Sequence, residues 1–119
     1  PAQPDQPGQT ARRALVACRY FVEEELTVAG TMREPACPSS CRILTVLRGE
    51  LEILPEAERG TSQGEPVRLK TGETAVLPAC LGDATLSGSA TLVRSYVPEP
   101  DDPTLALWQA AHAGLFPSD

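Results

Sequence analysis

The amino-acid sequence predicts an all-β chain, a small barrel or jelly roll of short antiparallel strands, with one C-terminal α-helix. Three observations predict it. Residues 42–54 (RILTVLRGELEIL) form a β-branched and leucine-rich run interrupted only by Gly49-Glu50. From Pro66 to Val97, short apolar runs recur between the turn signals Thr71-Gly72, Gly82-Asp83 and Ser87-Gly88. Beyond Pro98 the texture changes to a proline-rich connector followed by residues at helical spacing.

Residues 1–14, with proline and glutamine and no apolar periodicity at their start, read as an extended lead-in or an interdomain linker. Residues 17–28 (ACRYFVEEELTV) read as one long strand or two broken by a bulge, and 30–40, containing Pro35 and Pro38, as a loop. Residues 42–48 and 51–54 are expected to form a hairpin, with Gly49 supplying the positive φ of a tight turn. Pro55 ends it, and the polar stretch 56–64 is an exposed loop. Strands are expected at 66–70, 73–77, 84–86 and 90–97, completing a barrel domain over 15–98. In 99–119, Asp102 suits an N-cap and Pro103 the first helical position. Leu105, Trp108, Ala111 and His112 then mark a helix over 103–113, with Gly114 as its stop.

A strand with one wet face alternates apolar and polar residues. Ile43, Leu44, Val46 and Leu47 do not. Their outer face therefore calls for the helix, a homodimer partner or a neighbouring domain.

At 119 residues the chain has the size of one domain. Its core rests on Leu, Val, Ile and Ala, because only Tyr20, Phe21, Tyr96, Trp108 and Phe116 are aromatic. A net charge of −6 argues against nucleic acid or an anionic membrane as partner, since phosphate binding needs clustered Lys and Arg. No stretch approaches the ~20 apolar residues of a membrane span, and no signal-peptide core is visible, so a cytoplasmic location is expected. Cys18, Cys37, Cys41 and Cys80 are irregularly spaced, and one histidine cannot complete a site of two cysteines and two histidines. Reduced thiols are the expectation.

Four segments carry a family resemblance. They are LVACRYFVEE (15–24), ILTVLRGE (43–50), LKTGETAVLPA (69–79) and LVRSYVP (92–98). The second and third, a strand-Gly-strand followed by Gly72-x5-Pro78, resemble the two motifs of the cupin barrel. The four together, in this order, resemble the C-terminal cupin domain of type I mannose-6-phosphate isomerases. The resemblance implies a family that interconverts mannose 6-phosphate and fructose 6-phosphate. It also implies zinc ligands (a Gln, two His and a Glu) and a catalytic Arg that all lie upstream of the matched region. No such position exists in this chain, and the C-terminal cupin of the family is metal-free. No catalytic, cofactor-binding or metal-binding residue is therefore assigned here.

On the general cupin template the Glu ligand falls at Arg42, the His pair near residues 35–38, and the third His near Asp83. Cys37 and Asp83 are the only ligand types in those windows, fewer than the three convergent ligands a catalytic site needs. His112 is read as a packing or surface residue of the helix, and Glu23-Glu24-Glu25 as a solvated edge that resists aggregation. Ser39, Ser40, Ser62 and Ser95 lack the Gly-x-Ser-x-Gly context of a serine nucleophile. Arg48, Arg68, Lys70 and Arg94 would hold a sugar phosphate only if they converged, and scattered surface charge is the simpler reading.

The leading expectation is the metal-free C-terminal cupin of a mannose-6-phosphate isomerase-like protein of carbohydrate metabolism, inactive by itself. Pro1 means that an initiator Met was removed or that the chain is a fragment, and the leading reading takes it as a fragment or split product. Its partner would be an N-terminal zinc-binding cupin half. The alternative is a stand-alone, non-catalytic cupin that binds a ligand or dimerises through the strand from Ile43 to Leu47.

Overall fold

A computed structural model of the chain describes residues 11–56 and 65–112. The first ten residues of the expected lead-in 1–14, the loop residues 57–64 and the helix end at Ala113-Gly114 lie outside the described residues.

Among the described residues six antiparallel strands and one helix follow in order: β1 Ala11–Ala17, β2 Val22–Glu34, β3 Arg42–Pro55, β4 Val67–Lys70, β5 Thr74–Leu77, β6 Ala84–Tyr96 and α1 Pro103–Ala111. The strand order is β1-β2-β6-β3-β4, with β5 also on β3. β2, β3 and β6 are 13, 14 and 13 residues long, and each serves two layers. The first layer runs β1, the first half of β2, the second half of β6, the first half of β3, then β5. The second runs through the other halves of β2, β6 and β3 to β4.

The crease between the layers is a line of glycines. Gly30 lies opposite Gly88, Gly88 opposite Leu51, and Gly49 opposite Ala90. Gly49 (φ +91°) and Gly88 (φ +128°) have conformations that L side chains rarely adopt. A Cβ on Gly49 would sit 2.1 Å from the Ser89 carbonyl oxygen, and one on Gly88 2.5 Å from that of Glu50. The expected hairpin at Gly49-Glu50 is therefore corrected: β3 bends there and continues, paired along its length with β6. Likewise the strands expected at 84–86 and 90–97 are one bent strand, and β2 runs to Glu34 through much of the expected loop 30–40. β1 starts at Ala11, within the stretch read as a lead-in.

A bulge at Leu47, where the β3–β6 register shifts between Val46 and Arg48, changes which parity of β3 faces inward. Leu44 and Val46 point in before it, Leu51 and Ile53 after it. With Leu26, Val28, Leu69, Leu77, Leu86 and Leu92 they form one apolar core between the layers.

The expected helix cap is present. Asp102 Oδ1 accepts from the backbone N–H of Thr104 (2.8 Å) and of Leu105 (3.3 Å), with Pro103 in the first turn. Leu105 and Trp108 pack with Ala17, Val22 and Tyr96, at the β1 side of the barrel. The helix does not supply the cover expected for the outer face of β3, where Ile43 and Leu47 stay 38% and 46% exposed.

Candidate functional site

Period-2 alternation puts Val22, Glu24, Leu26 and Val28 on one face of β2. The same rule aligns Arg42 with Leu44 and Val46 on β3, and Arg94 with Leu92 on β6. One carboxylate and two guanidinium groups are thereby carried to the inside of one end of the barrel, and Glu34, buried at the end of β2, adds a second carboxylate.

Glu24 lies directly opposite Arg94 in the β2–β6 ladder, and Arg94 opposite Leu44 in the β3–β6 ladder. Because the sheet is creased, Glu34 at the far end of β2 comes back across from Arg94. The Arg94 Nη1 donates to Glu24 Oε1 at 2.9 Å and its Nε to Glu34 Oε2 at 2.8 Å. The same Glu34 oxygen accepts from Arg42 Nη1 at 3.2 Å, and that nitrogen also donates to the Pro35 carbonyl. Glu24 Oε2 accepts from half-exposed Arg12, at 2.6 Å from Nη2 and 3.0 Å from Nε. The chain of charge is Arg12–Glu24–Arg94–Glu34–Arg42, and its inner members are buried: Glu24 2%, Glu34 1%, Arg42 0% and Arg94 9% exposed.

Burial works against the Arg94 charge, but Glu34 and then Glu24 outweigh it and hold its pKa above the ordinary arginine value. Arg94 also stacks 4.7 Å over the Tyr96 ring. Burial, followed by the bond its hydroxyl donates to Asp102 Oδ2 (2.9 Å), pushes the Tyr96 pKa up to about 12. The ionic interior thus reaches the cap of α1 through Tyr96.

At the same end, Asp83 ties loop 78–83 to loop 35–41. Its Oδ1 accepts from the Ala36 N–H at 2.6 Å, and its Oδ2 accepts from Arg33. The Ala36 bond first, with Arg33 assisting, holds the Asp83 carboxyl below its ordinary value against a smaller opposing effect of burial. Ser40 Oγ accepts from the Val97 N–H (3.0 Å) and donates to the Cys41 carbonyl (2.7 Å), fastening the loop to β6.

The residues singled out from sequence scatter. Glu23-Glu24-Glu25 is not a wholly solvated edge: Glu24 is in phase with Val22 and Leu26 and turns inward. Arg94 is in the interior, whereas Arg68 donates from the outer face to Glu52 at 3.1 Å. Arg68 and Lys70 line an open groove of about 510 Å³ beside Glu50 and Glu52, and Arg48 lines a separate one of about 250 Å³. These four cations do not converge. His112 stacks on Trp108 with ring centroids 4.0 Å apart. The sequence reading missed Glu34 and the inward role of Arg42. Parity with Leu44 and Val46 was the signal for Arg42, while the Pro35 boundary hid Glu34.

No family model and no curated protein sequence matches this chain. Solved structures do match. KdgF from Halomonas sp. superposes with a TM-score of 0.63 at 18% identity, over 86% of this chain and 89% of that one. A cupin superfamily protein from Desulfitobacterium hafniense gives 0.63 at 14% identity, over 82% and 84%. This chain has the cupin fold. The mannose 6-phosphate isomerase from Bacillus subtilis matches with a TM-score of 0.61 at 22% identity, over 80% of this chain. The match spans 28% of that isomerase's length.

Cupin barrels commonly hold a metal inside, and the residues here do not fit one. Arg42 occupies the template position of the Glu ligand and brings a positive charge to it. Asp83 is committed to Arg33 and the Ala36 amide. Among the described residues no group of three or more His, Cys, Asp or Glu side chains is placed to hold a metal ion.

Proposed function

We propose that this chain is a non-catalytic cupin domain, the C-terminal brace of a protein like the type I mannose-6-phosphate isomerases. The observation that carries the reading is the buried chain Glu24–Arg94–Glu34–Arg42, which lines the end of the barrel where the cupin template places its ligands. Each of its carboxylates is held by two guanidinium groups, which leaves neither suited to accept a proton from a sugar, and no group in it is suited to polarise a sugar carbonyl. The ordered motifs at 15–24, 43–50, 69–79 and 92–98 support the isomerase kinship. Zinc and sugar phosphate would belong to an N-terminal half, in the cytoplasm.

The test is a coupled assay of mannose 6-phosphate turnover. The purified chain with zinc stays at background, and activity appears when a zinc-binding half encoded upstream is supplied. Turnover by this chain alone, lost on a single substitution within it, overturns the reading.

A second reading, a dimerisation module, is favoured by one observation. Ile43 and Val76 face each other across β3 and β5 on the outer surface, 38% and 59% exposed, and Leu47 lies along the same strand. Sedimentation as a dimer, reverting to monomer in Val76→Lys, supports it. A monomer at high micromolar concentration refutes it.

A further inference from the structure

We infer that the Arg42 end of the barrel interior is a binding site for one small monocarboxylate. The Arg42 guanidinium is 0% exposed, and Nη1 alone serves Glu34 and the Pro35 carbonyl. Nε and Nη2 are buried with no hydrogen-bond partner among the described residues. Between them they carry three N–H donors, and a buried donor left unmet costs more than most bonds gain.

The two nitrogens are not an arbitrary pair. They share one edge of the planar group, so that Nε–H and one N–H of Nη2 run parallel. That fork matches the two oxygens of a carboxylate.

Charge points the same way. The chain Arg12–Glu24–Arg94–Glu34–Arg42 holds three guanidinium groups and two carboxylates, and the Arg33–Asp83 pair at the same end adds no net charge, which leaves a surplus of one positive charge. A singly charged anion balances it, whereas a dianion would overshoot it. Size is limited as well, because Arg42 lies between Leu77 of β5 and Tyr96 of β6, beside loops 35–41 and 78–83. The inference holds for this barrel whatever the parent protein catalyses.

The experiment follows Arg side-chain Nε–H resonances in the ¹⁵N-labelled full chain during titration with sodium formate and sodium acetate. Sodium chloride at matched ionic strength is the control, and inorganic phosphate a separate arm. One Nε–H resonance, absent in Arg42→Lys, should shift saturably with the carboxylates and not with chloride. At about five times the dissociation constant the unfolding midpoint should rise by roughly 3–5 °C. Arg12→Gln, which removes the surplus charge from a half-exposed position, should weaken acetate binding several-fold. If Arg42→Lys does not fold, saturable shifts in the parent together with the Arg12→Gln loss decide the matter. No saturable shift with either carboxylate overturns the inference, and a response to phosphate alone overturns its assignment to a monocarboxylate.

Discussion

Replacing Glu34 by glutamine removes one charge and almost no volume, and the structure makes it a severe change. A single oxygen, Glu34 Oε2, accepts from Arg42 at 3.2 Å and from Arg94 at 2.8 Å, with the carboxylate 1% exposed. In the variant both guanidinium groups stay buried. Arg94 retains Glu24, but Arg42 has no ion-paired carboxylate left among the described residues. Breaking a buried pair from one side costs about 3–5 kcal/mol. Glutamine can still offer a carbonyl oxygen, so the lower end applies, about 3 kcal/mol. For a chain of this size that lowers the thermal midpoint by roughly 10 °C. Urea unfolding followed by circular dichroism measures it, and added salt should restore little because the pair is shielded from solvent. Removing both partners separates the cost of an orphaned charge from the worth of the pair. Glu34→Leu with Arg42→Met should lie within about 1 kcal/mol of the parent or above it. A Glu34→Gln midpoint equal to the parent's, or a double variant weaker than the single one, would refute the reasoning.

Gly49→Ala places a methyl group 2.1 Å from a backbone carbonyl oxygen at φ +91°, and should cost more than about 3 kcal/mol by urea unfolding. Gly72→Ala has φ +87° with nothing within 4 Å, so only the conformational penalty of about 1–2 kcal/mol applies. In a Tyr20→Phe variant the remaining tyrosine, Tyr96, should titrate at about 12 by absorbance near 295 nm, and Asp102→Asn should bring that midpoint down. Its folded-state pKa is raised, so its contribution to stability is whole below the ordinary value of 10.0 and is lost as pH rises through about 12. The Asp83 pKa is lowered, so the parent should exceed Asp83→Asn in unfolding midpoint at neutral pH. That margin should close as pH falls below the ordinary value of 3.8.

The sequence was legible where local chemistry decides and illegible where distant pairing does. Asp102-Pro103 announced the helix start because a cap is satisfied within three residues. The short strands β4 and β5 were found for the same reason, each bounded by its own turn signals. Gly49-Glu50 misled because a hairpin and a crease ask for the same thing, a positive φ between two apolar runs. What separates them is the partner strand β6, some forty residues further on. Gly88 misled in the same manner. The ionic interior was written into strand parity at Glu24, Arg42 and Arg94, but a charged residue in phase with leucines reads as a break in the pattern until its counter-charge is known. The distribution of exposed apolar residues showed half of its meaning: Ile43 and Leu47 were flagged as needing cover, and α1 packs elsewhere.

The glycine crease also bears on how the chain acquires its structure. β2, β3 and β6 each belong to both layers, and Val22 finds Tyr96 only after the whole span between them has been made. The β1–β2 and β3–β4 pairings are local, but neither layer is complete until β6 inserts between β2 and β3, so assembly waits on long-range closure, the regime of slow β-protein folding. By the same logic, unfolding should be all-or-none, and proteolytic fragments cut between β2 and β6 should be unstructured when separated.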